Sequence, residues 1–493
     1  MLDCLFGFHG VCIKIYLNES RKLPLFGVVT LVIWRSAAML SGRLWRGRIP
    51  SQLGEGFEMS FSRVGAAEPR RRFRHFFLLS ALALVFAFAV GACSSDDEVR
   101  DVALADIARS PETSMIIPLG EPVVIGVSSA LTGSAAPRGQ EYRDAVVVAV
   151  EQWKTQNGAT IGGHEISIVS EDDGCTEADV TRLAAERLLK RPGLVGVLGP
   201  QCSAGAVRTQ GIYADAGIVM ISGSATSTKL AEQQIGDGFF FRTAYRNDSQ
   251  GVLIAVYFSD PDFLGASDVY IVHDNETYGS DLAFRAQPLL VEAGLQVTMA
   301  SIDRGTVDFS ELAREITEAN PDAMFFAGFN PEAILLLRQL RDAGWNGAYA
   351  SGDAVCGAAN CEFLAALGEL AEGAAFSGCS PPLDTAFVNE FTEVHGGEPT
   401  AAFIAQYSDA ATILLNAVRS VAQDEAGAMV IDPKALRDAV SASTLPGGRS
   451  GDIAFDSAGD RAFSSELADL DQFARELGLV PCRIENGAIA YFN

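Results

Sequence analysis

Three short segments place polar groups at the points where predicted strands end and helices begin. They are Asp172-Asp173-Gly174-Cys175, Gly199-Pro200-Gln201-Cys202-Ser203 and Ser222-Gly223-Ser224-Ala225-Thr226. The second and third put hydroxyl groups and free backbone N–H groups at helix N-termini, which is an arrangement that binds carboxylates. The first two each contain a cysteine that could join one segment to the other. The pattern predicts a ligand pocket rather than a catalytic centre.

A regular alternation of strands and helices must position these segments. Residues 123–221 contain four apolar strands separated by three helices, and a second series of four helices and four strands occupies residues 249–351. Strands that alternate with helices through short connections predict parallel sheets covered by helices on both faces. Further helices are predicted near 385–394, 404–422 and 434–442, with a polar strand near 451–455. The fold class is therefore α/β, with two doubly wound parallel-sheet lobes between which the chain crosses more than once.

The sequence contains little that could serve catalysis or metal binding. No Gly-x-Ser-x-Gly or Cys-x-x-Cys motif is present, and the histidines after residue 93 are His164, His273 and His395, which are widely spaced. These motifs and clusters would supply a nucleophile with its base or a set of metal ligands. We expect no catalytic residues, no metal and no cofactor.

Residues 59–93 have the features of a bacterial lipoprotein signal. A basic stretch around Arg70 is followed by an apolar stretch over 76–90, and small residues then precede Cys93, the expected site of lipidation. An uncleaved anchor helix with an incidental cysteine is the alternative. The twin arginines also suggest the twin-arginine export route, but Arg74 stands where such signals usually have an apolar residue, which favours the general route. Residues 1–58 are predicted to be a start-site artefact or disordered leader, and 94–118 a flexible tether.

Charge argues against nucleic acid as a partner. The chain has 37 basic and 62 acidic residues, and 25 of the former and 57 of the latter follow Cys93, a net charge of about −32. Such a surface repels nucleic acids and anionic membranes. It suits an exported protein, and we expect the chain to face the periplasm or cell exterior.

The cysteines indicate disulfide bonds. Of nine, six lie beyond Cys93 in the mature chain: Cys175, Cys202, Cys356, Cys361, Cys379 and Cys482. An even number of cysteines in an exported chain favours disulfides over a metal site.

Together the motifs resemble the leucine/isoleucine/valine-binding proteins, the substrate receptors of branched-chain amino acid ABC transporters, which have the type I periplasmic-binding-protein fold. The resemblance covers nearly all of residues 120–493 and rests on many short motifs in the same order. They are Leu131-Thr132-Gly133, Glu171-Asp172-Asp173-Gly174-Cys175, Cys202-Ser203, Ile221-Ser222-Gly223-Ser224-Ala225-Thr226, Phe241-Arg242-Thr243, His273-Asp274, Tyr278-Gly279, Asp308-Phe309, Asn320-Pro321-Asp322, Leu337-Arg338-Gln339 and Gly352-Asp353-Ala354-Val355-Cys356.

The resemblance implies two lobes joined by a three-stranded hinge, with an amino acid held between them. Its lobe boundaries would be 119–243 plus 378–446 for lobe 1 and 244–377 plus 447–493 for lobe 2. It also implies a disulfide between Cys175 and Cys202. The other four cysteines allow three pairings, of which Cys356–Cys361 and Cys379–Cys482 is favoured.

The resemblance also implies ligand contacts at matching positions. The ligand's α-carboxylate would meet the hydroxyl and N–H groups of Ser203 and Thr226. Its ammonium group would meet the backbone carbonyl near Ser224 and the carboxylate of Asp353, and Tyr278 would close from the second lobe. Fixed partners at both ends are physically required, because a buried zwitterion loses the hydration of both charges. Ala225, which lies between Ser224 and Thr226, is also expected to contact the ligand.

Two departures from the family pattern, and one further residue, affect the pocket for the ligand side chain. Arg138 follows the first-strand turn where an aromatic residue is common, and its guanidinium either points to solvent or enters the pocket and favours a polar or acidic side chain. Phe329 replaces a common tyrosine, and Phe403 is expected to line the side-chain pocket.

The implied function is a monomeric, lipid-anchored, non-enzymatic receptor that delivers a small amino acid to an ABC permease. The alternative is a sensor for amides, urea or another small polar solute that is not coupled to transport. Loss of an acidic residue at position 353 would favour the sensor, and Asp353 is present.

Overall fold

The computed structural model describes residues 108–232, 238–357, 361–380, 383–462 and 480–492, together with 11–15 and 31–35. Residues 1–98 and 99–493 form two separate units. In the first unit, Val11–Ile15 pairs antiparallel with Leu31–Arg35. The rest of the predicted leader, the predicted signal at 59–93 and Cys93 lie outside the described residues.

A six-stranded sheet forms the centre of lobe 1. Its strands and the short strand before them are β1 (Met115–Ile117), β2 (Val123–Ser129), β3 (Thr160–Ile161), β4 (His164–Asp172), β5 (Leu194–Leu198), β6 (Val219–Ser222) and β7 (Phe240–Arg242). The order in the sheet is β3-β4-β2-β5-β6-β7, with β3 antiparallel and the others parallel. Every side chain of β2, β5 and β6 is buried, as expected of strands covered on both faces.

Lobe 2 repeats this architecture. Its strands are β8 (Asp268–His273), β9 (Gln296–Ser301), β10 (Ala323–Ala327), β11 (Ala348–Ser351) and β12 (Ala375–Cys379). These five are parallel in the order β9-β8-β10-β11-β12. In both lobes the first parallel strand therefore lies between the second and the third. Such an order creates a crevice at the carboxyl ends of the first and third strands, where ligands of doubly wound folds bind.

Helices cover both faces of each sheet. They are α1 (Ala136–Asn157), α2 (Ala178–Leu189), α3 (Ser203–Asp215), α4 (Lys229–Glu232), α5 (Asn247–Ser259), α6 (Thr277–Glu292), α7 (Ser310–Ala319), α8 (Asn330–Asp342), α9 (Glu362–Leu367), α10 (Thr385–His395), α11 (Ile404–Val421) and α12 (Pro433–Ser441), with a 3₁₀ turn at Gly368–Ala371. In lobe 1, α1 and α11 pack on one face and α2 and α3 on the other. In lobe 2, the two faces are covered by α7 with α8 and by α5 with α6. The predicted fold class is confirmed.

Late strands complete both lobes. They are β13 (Gln423–Glu425), β14 (Ala428–Ile431), β15 (Thr444–Gly448), β16 (Gly451–Ala454), β17 (Val480–Glu485) and β18 (Ala488–Tyr491). Strand β17 pairs antiparallel with β12 and β18 pairs with β17, so the C-terminal residues extend the lobe 2 sheet. The chain thus passes to lobe 2 after Arg242, returns after Cys379 and is again in lobe 2 at Val480.

The hairpin of β15 and β16 belongs with lobe 1, whereas the predicted boundaries assign 447–493 to lobe 2. The Oγ of Ser450 lies 2.7 Å from Asp409 Oδ2, and Arg461 donates to the carbonyl of Thr243 at 3.3 Å. Ile453 is buried in the lobe 1 core. Two large apolar side chains, Leu445 and Ile453, in a polar hairpin are too weak a signal to assign it to a lobe from sequence.

The end of the predicted tether also packs on lobe 1. Arg109 donates to the carbonyls of Leu189 at 2.8 Å, Arg191 at 2.8 Å and Leu194 at 3.1 Å. Strand β1 pairs with β14. Because these bonds satisfy the backbone carbonyls at the end of α2, the residues from Arg109 onward are part of the lobe.

Candidate functional site

A cavity of about 60 Å³ lies between the lobes, at the carboxyl ends of strands from both sheets. Room of this size suits a small solute. Its lining residues are Ser134, Ala135, Pro137, Arg138, Tyr142, Gln201, Cys202, Ser203, Ser224 and Phe403 from lobe 1, and Tyr278, Arg304, Phe329, Asn330, Pro331, Asp353, Ala354 and Glu362 from lobe 2. Seven residues predicted from the sequence therefore meet in one place.

The lobe 1 wall is built on the start of α3. Ser203 is its first residue and is buried, and its Oγ accepts a hydrogen bond from the Ser227 N–H at 3.2 Å. The hydroxyl proton of Ser203 therefore remains available for donation. The first N–H groups of a helix have no partner within the helix, and they carry the positive end of its dipole. This wall is suited to an anionic group.

The turn after β6 supplies the second half of the lobe 1 wall. Ser224 Oγ donates to the carbonyl of Gln201 at 2.7 Å and lies 3.1 Å from the Tyr407 hydroxyl. Ala225 and Thr226 follow it and are fully buried, but they are not among the residues that line the cavity. Thr226 Oγ1 has no hydrogen-bond partner among the described residues. An unpaired buried hydroxyl is costly, so this group is available to a ligand that reaches it.

The lobe 2 wall is centred on Asp353, which follows β11. Its side chain is buried and accepts a hydrogen bond from Gln250 Nε2 at 2.8 Å, and the nearby hydroxyls of Tyr278 and Tyr245 lower its pKa. Burial raises the pKa of Asp353 to about 6, against the lowering effect of these groups and of the nearby Arg138 charge. A buried carboxylate with an elevated pKa favours a cationic partner, because the partner would restore the lost solvation.

A glycine allows the tyrosine to approach this carboxylate. A β-carbon at Gly352 would overlap the hydroxyl of Tyr278. Packing therefore requires a glycine at position 352, since any larger residue there would displace Tyr278.

Arg138 spans the cleft. It lies in the first turn of α1 and donates to the backbone carbonyls of Ala354 and of Val355, the latter at 2.9 Å. The sequence left open whether the guanidinium points to solvent or enters the pocket, and in the structure Arg138 lines the cavity. The guanidinium pairs with lobe 2 backbone, so it joins the two lobes beside Asp353.

Aromatic rings line the middle of the cavity. The centroids of Tyr278 and Phe329 are 5.4 Å apart, and those of Phe403 and Tyr245 are 5.3 Å apart. The Arg304 guanidinium lies 4.0 Å above the Phe329 ring. Aromatic rings from both lobes thus face the space between the Ser203 wall and the Asp353 wall.

Sequence reasoning did not assign Tyr142, Gln201, Arg304, Asn330 or Glu362 to the site. Gln201 and Asn330 directly adjoin residues that it did assign, so their positions at strand ends could have identified them. Arg304 lies in the loop after β9 and Glu362 begins α9, and no local pattern indicates that either reaches the cleft.

All three predicted disulfides are confirmed. Cys175 pairs with Cys202, Cys356 with Cys361 and Cys379 with Cys482. The first ties the loop after β4 to the turn before α3, which holds Ser203. The third ties β12 to β17.

Within the described parts of the chain, no helix is both long and apolar enough to span a bilayer. Across the same residues, no group of three or more acidic, histidine or cysteine side chains could hold a metal ion.

Comparisons with known proteins agree with this architecture. A family model described as periplasmic binding protein matches residues 122–467. An amino acid binding protein of Pseudomonas aeruginosa is 32% identical over 234 residues, which are 47% of this chain and 61% of that protein. A Leu/Ile/Val-binding protein homolog 2 of Brucella abortus is 29% identical over 69% of this chain and 88% of its own length. The crystal structure of a leucine binding protein from Thermotoga maritima superposes with a TM-score of 0.63 at 25% identity, covering 75% of this chain and 98% of that one.

The family model spans most of the two lobes, and the Thermotoga maritima protein aligns with this chain over nearly the whole of its own length. The chain belongs to the periplasmic binding protein family.

Proposed function

We propose that this protein is an exported receptor that captures a small amino acid, branched-chain or related, between its lobes and delivers it to an ABC permease. The observation that carries the proposal is a cavity with an anion-binding wall at Ser203 on lobe 1 and a buried carboxylate, Asp353, on lobe 2. An amino acid has one charge for each wall. Both charges are then desolvated together in hydrogen-bonded positions, which is the condition for burying a zwitterion.

In this proposal the α-carboxylate binds the hydroxyl and N–H of Ser203 and the hydroxyl and N–H of Thr226. The ammonium group binds the carbonyl near Ser224 and the carboxylate of Asp353. Tyr278 closes over the ligand from lobe 2. Because each lobe supplies one set of contacts, the ligand binds the closed form better than the open one and shifts the population toward it.

The relatives support both the ligand class and the transport role. One is named an amino acid binding protein and another a Leu/Ile/Val-binding protein homolog. A structure related in fold is a branched-chain amino acid transporter protein in complex with isoleucine. The residues of the cavity have roles in binding and positioning a solute, and we propose that the protein is not an enzyme.

Attachment to the membrane through a lipid on Cys93 is also part of the proposal. It rests on the order of basic stretch, apolar stretch and small residues before Cys93. A lipid label on the wild-type protein that persists in Cys93→Ser would contradict it.

A ligand screen tests the receptor proposal. The purified protein is heated with each amino acid, with simple amides and with urea, and its unfolding temperature is recorded. We expect stabilisation by amino acids, because a ligand that binds only the folded state stabilises it by mass action. Stabilisation by amides or urea alone would indicate the alternative, a sensor for small polar solutes.

Amino acid affinity should also depend on pH. The ammonium group requires an ionised Asp353, whose pKa burial raises to about 6 in the free protein. Affinity should therefore be constant above about pH 7 and fall about tenfold per unit below pH 6, because protons then compete with the ligand for the carboxylate. Calorimetric titrations at pH 8, 6 and 5 would measure this. An affinity that stays constant to pH 5 would exclude Asp353 as the ammonium partner.

A further inference from the structure

The cavity lining beside Phe329 includes polar residues that the proposed ammonium and carboxylate contacts do not use. They are Arg304, Asn330 and Glu362, all in lobe 2. We call these three residues the distal wall. Tyr278 lies beside Asp353 and packs against Phe329, and Phe329 lies under Arg304. This series of contacts leads from the proposed ammonium site to the distal wall, so a ligand side chain that passes Phe329 would meet it.

Asn330 offers an unpaired acceptor at this wall. It is 5% exposed, and its Nδ2 donates to Glu362 Oε2 at 2.8 Å. A carboxylate only accepts hydrogen bonds, so this contact fixes the orientation of the amide. Asn330 Oδ1 is buried without a hydrogen-bond partner among the described residues. Buried amide oxygens are nearly always paired, so this acceptor is open to a donor from a ligand or from a water molecule.

Arg304 offers donors at the same wall. Its guanidinium stacks on Phe329, and its Nη1 lies 3.4 Å from Glu332 Oε2 and 3.8 Å from Asp274 Oδ2. Neither contact is a hydrogen bond, since Nη1 has no acceptor among the described residues. The carboxylates of Asp274 and Glu332 hold the Arg304 guanidinium in place. The planar array of N–H groups on a guanidinium recognises oxygen acceptors.

The charges of the wall select against a charged side chain. The cavity is lined by two guanidiniums, Arg138 and Arg304, and two carboxylates, Asp353 and Glu362. A zwitterion with an uncharged side chain leaves this balance intact. A cationic side chain would be repelled by Arg304 and an anionic one by Glu362, whereas an uncharged polar side chain can use both groups. A hydrocarbon end would leave Asn330 Oδ1 unpaired.

We propose that the distal wall is a side-chain subsite that selects a carboxamide, as in glutamine or asparagine, over a branched hydrocarbon. The carboxamide N–H donates to Asn330 Oδ1, and its oxygen accepts from the Arg304 guanidinium. The inference rests on the proposed function, because it assumes that an amino acid occupies the cavity.

The test is calorimetric titration of the purified full-length protein with glutamine, asparagine, leucine, lysine and glutamate. In the wild type we expect glutamine or asparagine to bind at least tenfold more tightly than the other three, since a buried polar group discriminates strongly against a ligand that leaves it unpaired. In Asn330→Leu, carboxamide affinity should fall at least tenfold and leucine affinity should hold or rise. Asn346→Leu, at an exposed asparagine outside the cavity, should leave both affinities unchanged.

Leucine binding by Asn330→Leu also reports that the variant is folded. Binding of leucine with no preference for a carboxamide in the wild type would overturn the subsite but leave the proposed function standing. If Asn330→Leu lost affinity equally for the carboxamide and for leucine, the subsite would also be overturned. Such a result would indicate a structural role for the Asn330 side chain. Failure of every amino acid to bind the wild type would overturn the proposed function and the subsite with it.

Discussion

Replacing Asp353 by asparagine is expected to weaken amino acid binding by about 30-fold or more without unfolding the protein. Truncating or neutralising one partner of a buried, hydrogen-bonded charge pair costs about 2–5 kcal/mol, and each 1.4 kcal/mol is a tenfold change in affinity. The substitution keeps the shape of the side chain beside Gln250 and Tyr278. Isothermal titration at pH 7.5 would measure the loss.

The same variant should not lose stability in the absence of ligand. The folded protein raises the pKa of Asp353 from 3.8 to about 6, so ionising this group is unfavourable to the folded state. That cost is fully present above about pH 6 and absent well below pH 3.8, and asparagine removes it. The unfolding temperature of Asp353→Asn at pH 7.5 should equal or exceed that of the wild type.

Glu311→Gln is a matched control, because Glu311 is an exposed acidic residue in the first turn of α7, in the same lobe. It should change neither affinity nor stability. Wild-type affinity in Asp353→Asn would refute the ammonium assignment. A fall in both affinity and unfolding temperature would instead make Asp353 a structural residue.

Removing the Cys379–Cys482 disulfide should cause the largest loss of stability among the three bridges. The bonded cysteines are 103 residues apart, against 27 for Cys175–Cys202 and 5 for Cys356–Cys361. By restricting the unfolded chain, disulfides that close loops of these lengths stabilise the folded protein by about 4.7, 3.5 and 2 kcal/mol respectively. Denaturant titrations of the three Cys→Ala double variants under oxidising conditions would give the order.

Ligand affinity should distinguish removal of the Cys175–Cys202 bridge from removal of the Cys379–Cys482 bridge. Cys202 lines the cavity and directly precedes Ser203, so the double variant Cys175→Ala, Cys202→Ala should lose affinity as well as stability. The bridge from Cys379 to Cys482 joins β12 to β17, and neither cysteine lines the cavity. Its removal should therefore lower stability alone. Equal stabilities for all three variants would contradict the loop-length explanation.

Much of the fold was predictable because its signals are local. The sequence predicts strands at 194–198 and 348–351, which are the bounds of β5 and β11. It predicts helices at 203–216 and 278–292, which match α3 and α6 to within one residue. Apolar strands bounded by turn residues and followed by amphipathic helices indicate parallel sheets directly. Strand β12 was not predicted, because Ala375–Cys379 contains two small residues, a serine and only one large apolar side chain, Phe376.

The site was predictable in part for a related reason. Ser203 and Ser224 follow the carboxyl ends of strands in lobe 1, and Asp353 follows one in lobe 2. In a doubly wound fold the carboxyl ends of the strands form the ligand-binding edge of each sheet. The resemblance to a known family then implied which of these residues would face the ligand. Arg138 was recognised as unusual, but its partners, the carbonyls of Ala354 and Val355, lie more than 200 residues away in the chain.

The sequence by itself determined the α/β class, the polar residues at the strand ends and the cysteines available for bridges, because these depend on side-chain type and on spacing along a few residues. Only the tertiary structure decided that β15 and β16 pack on lobe 1, that Arg138 joins the lobes, and that Arg304, Asn330 and Glu362 form the distal wall. Each of these depends on how segments far apart in the chain approach one another. That approach is set by the packing of whole sheets and helices, and no local pattern encodes it.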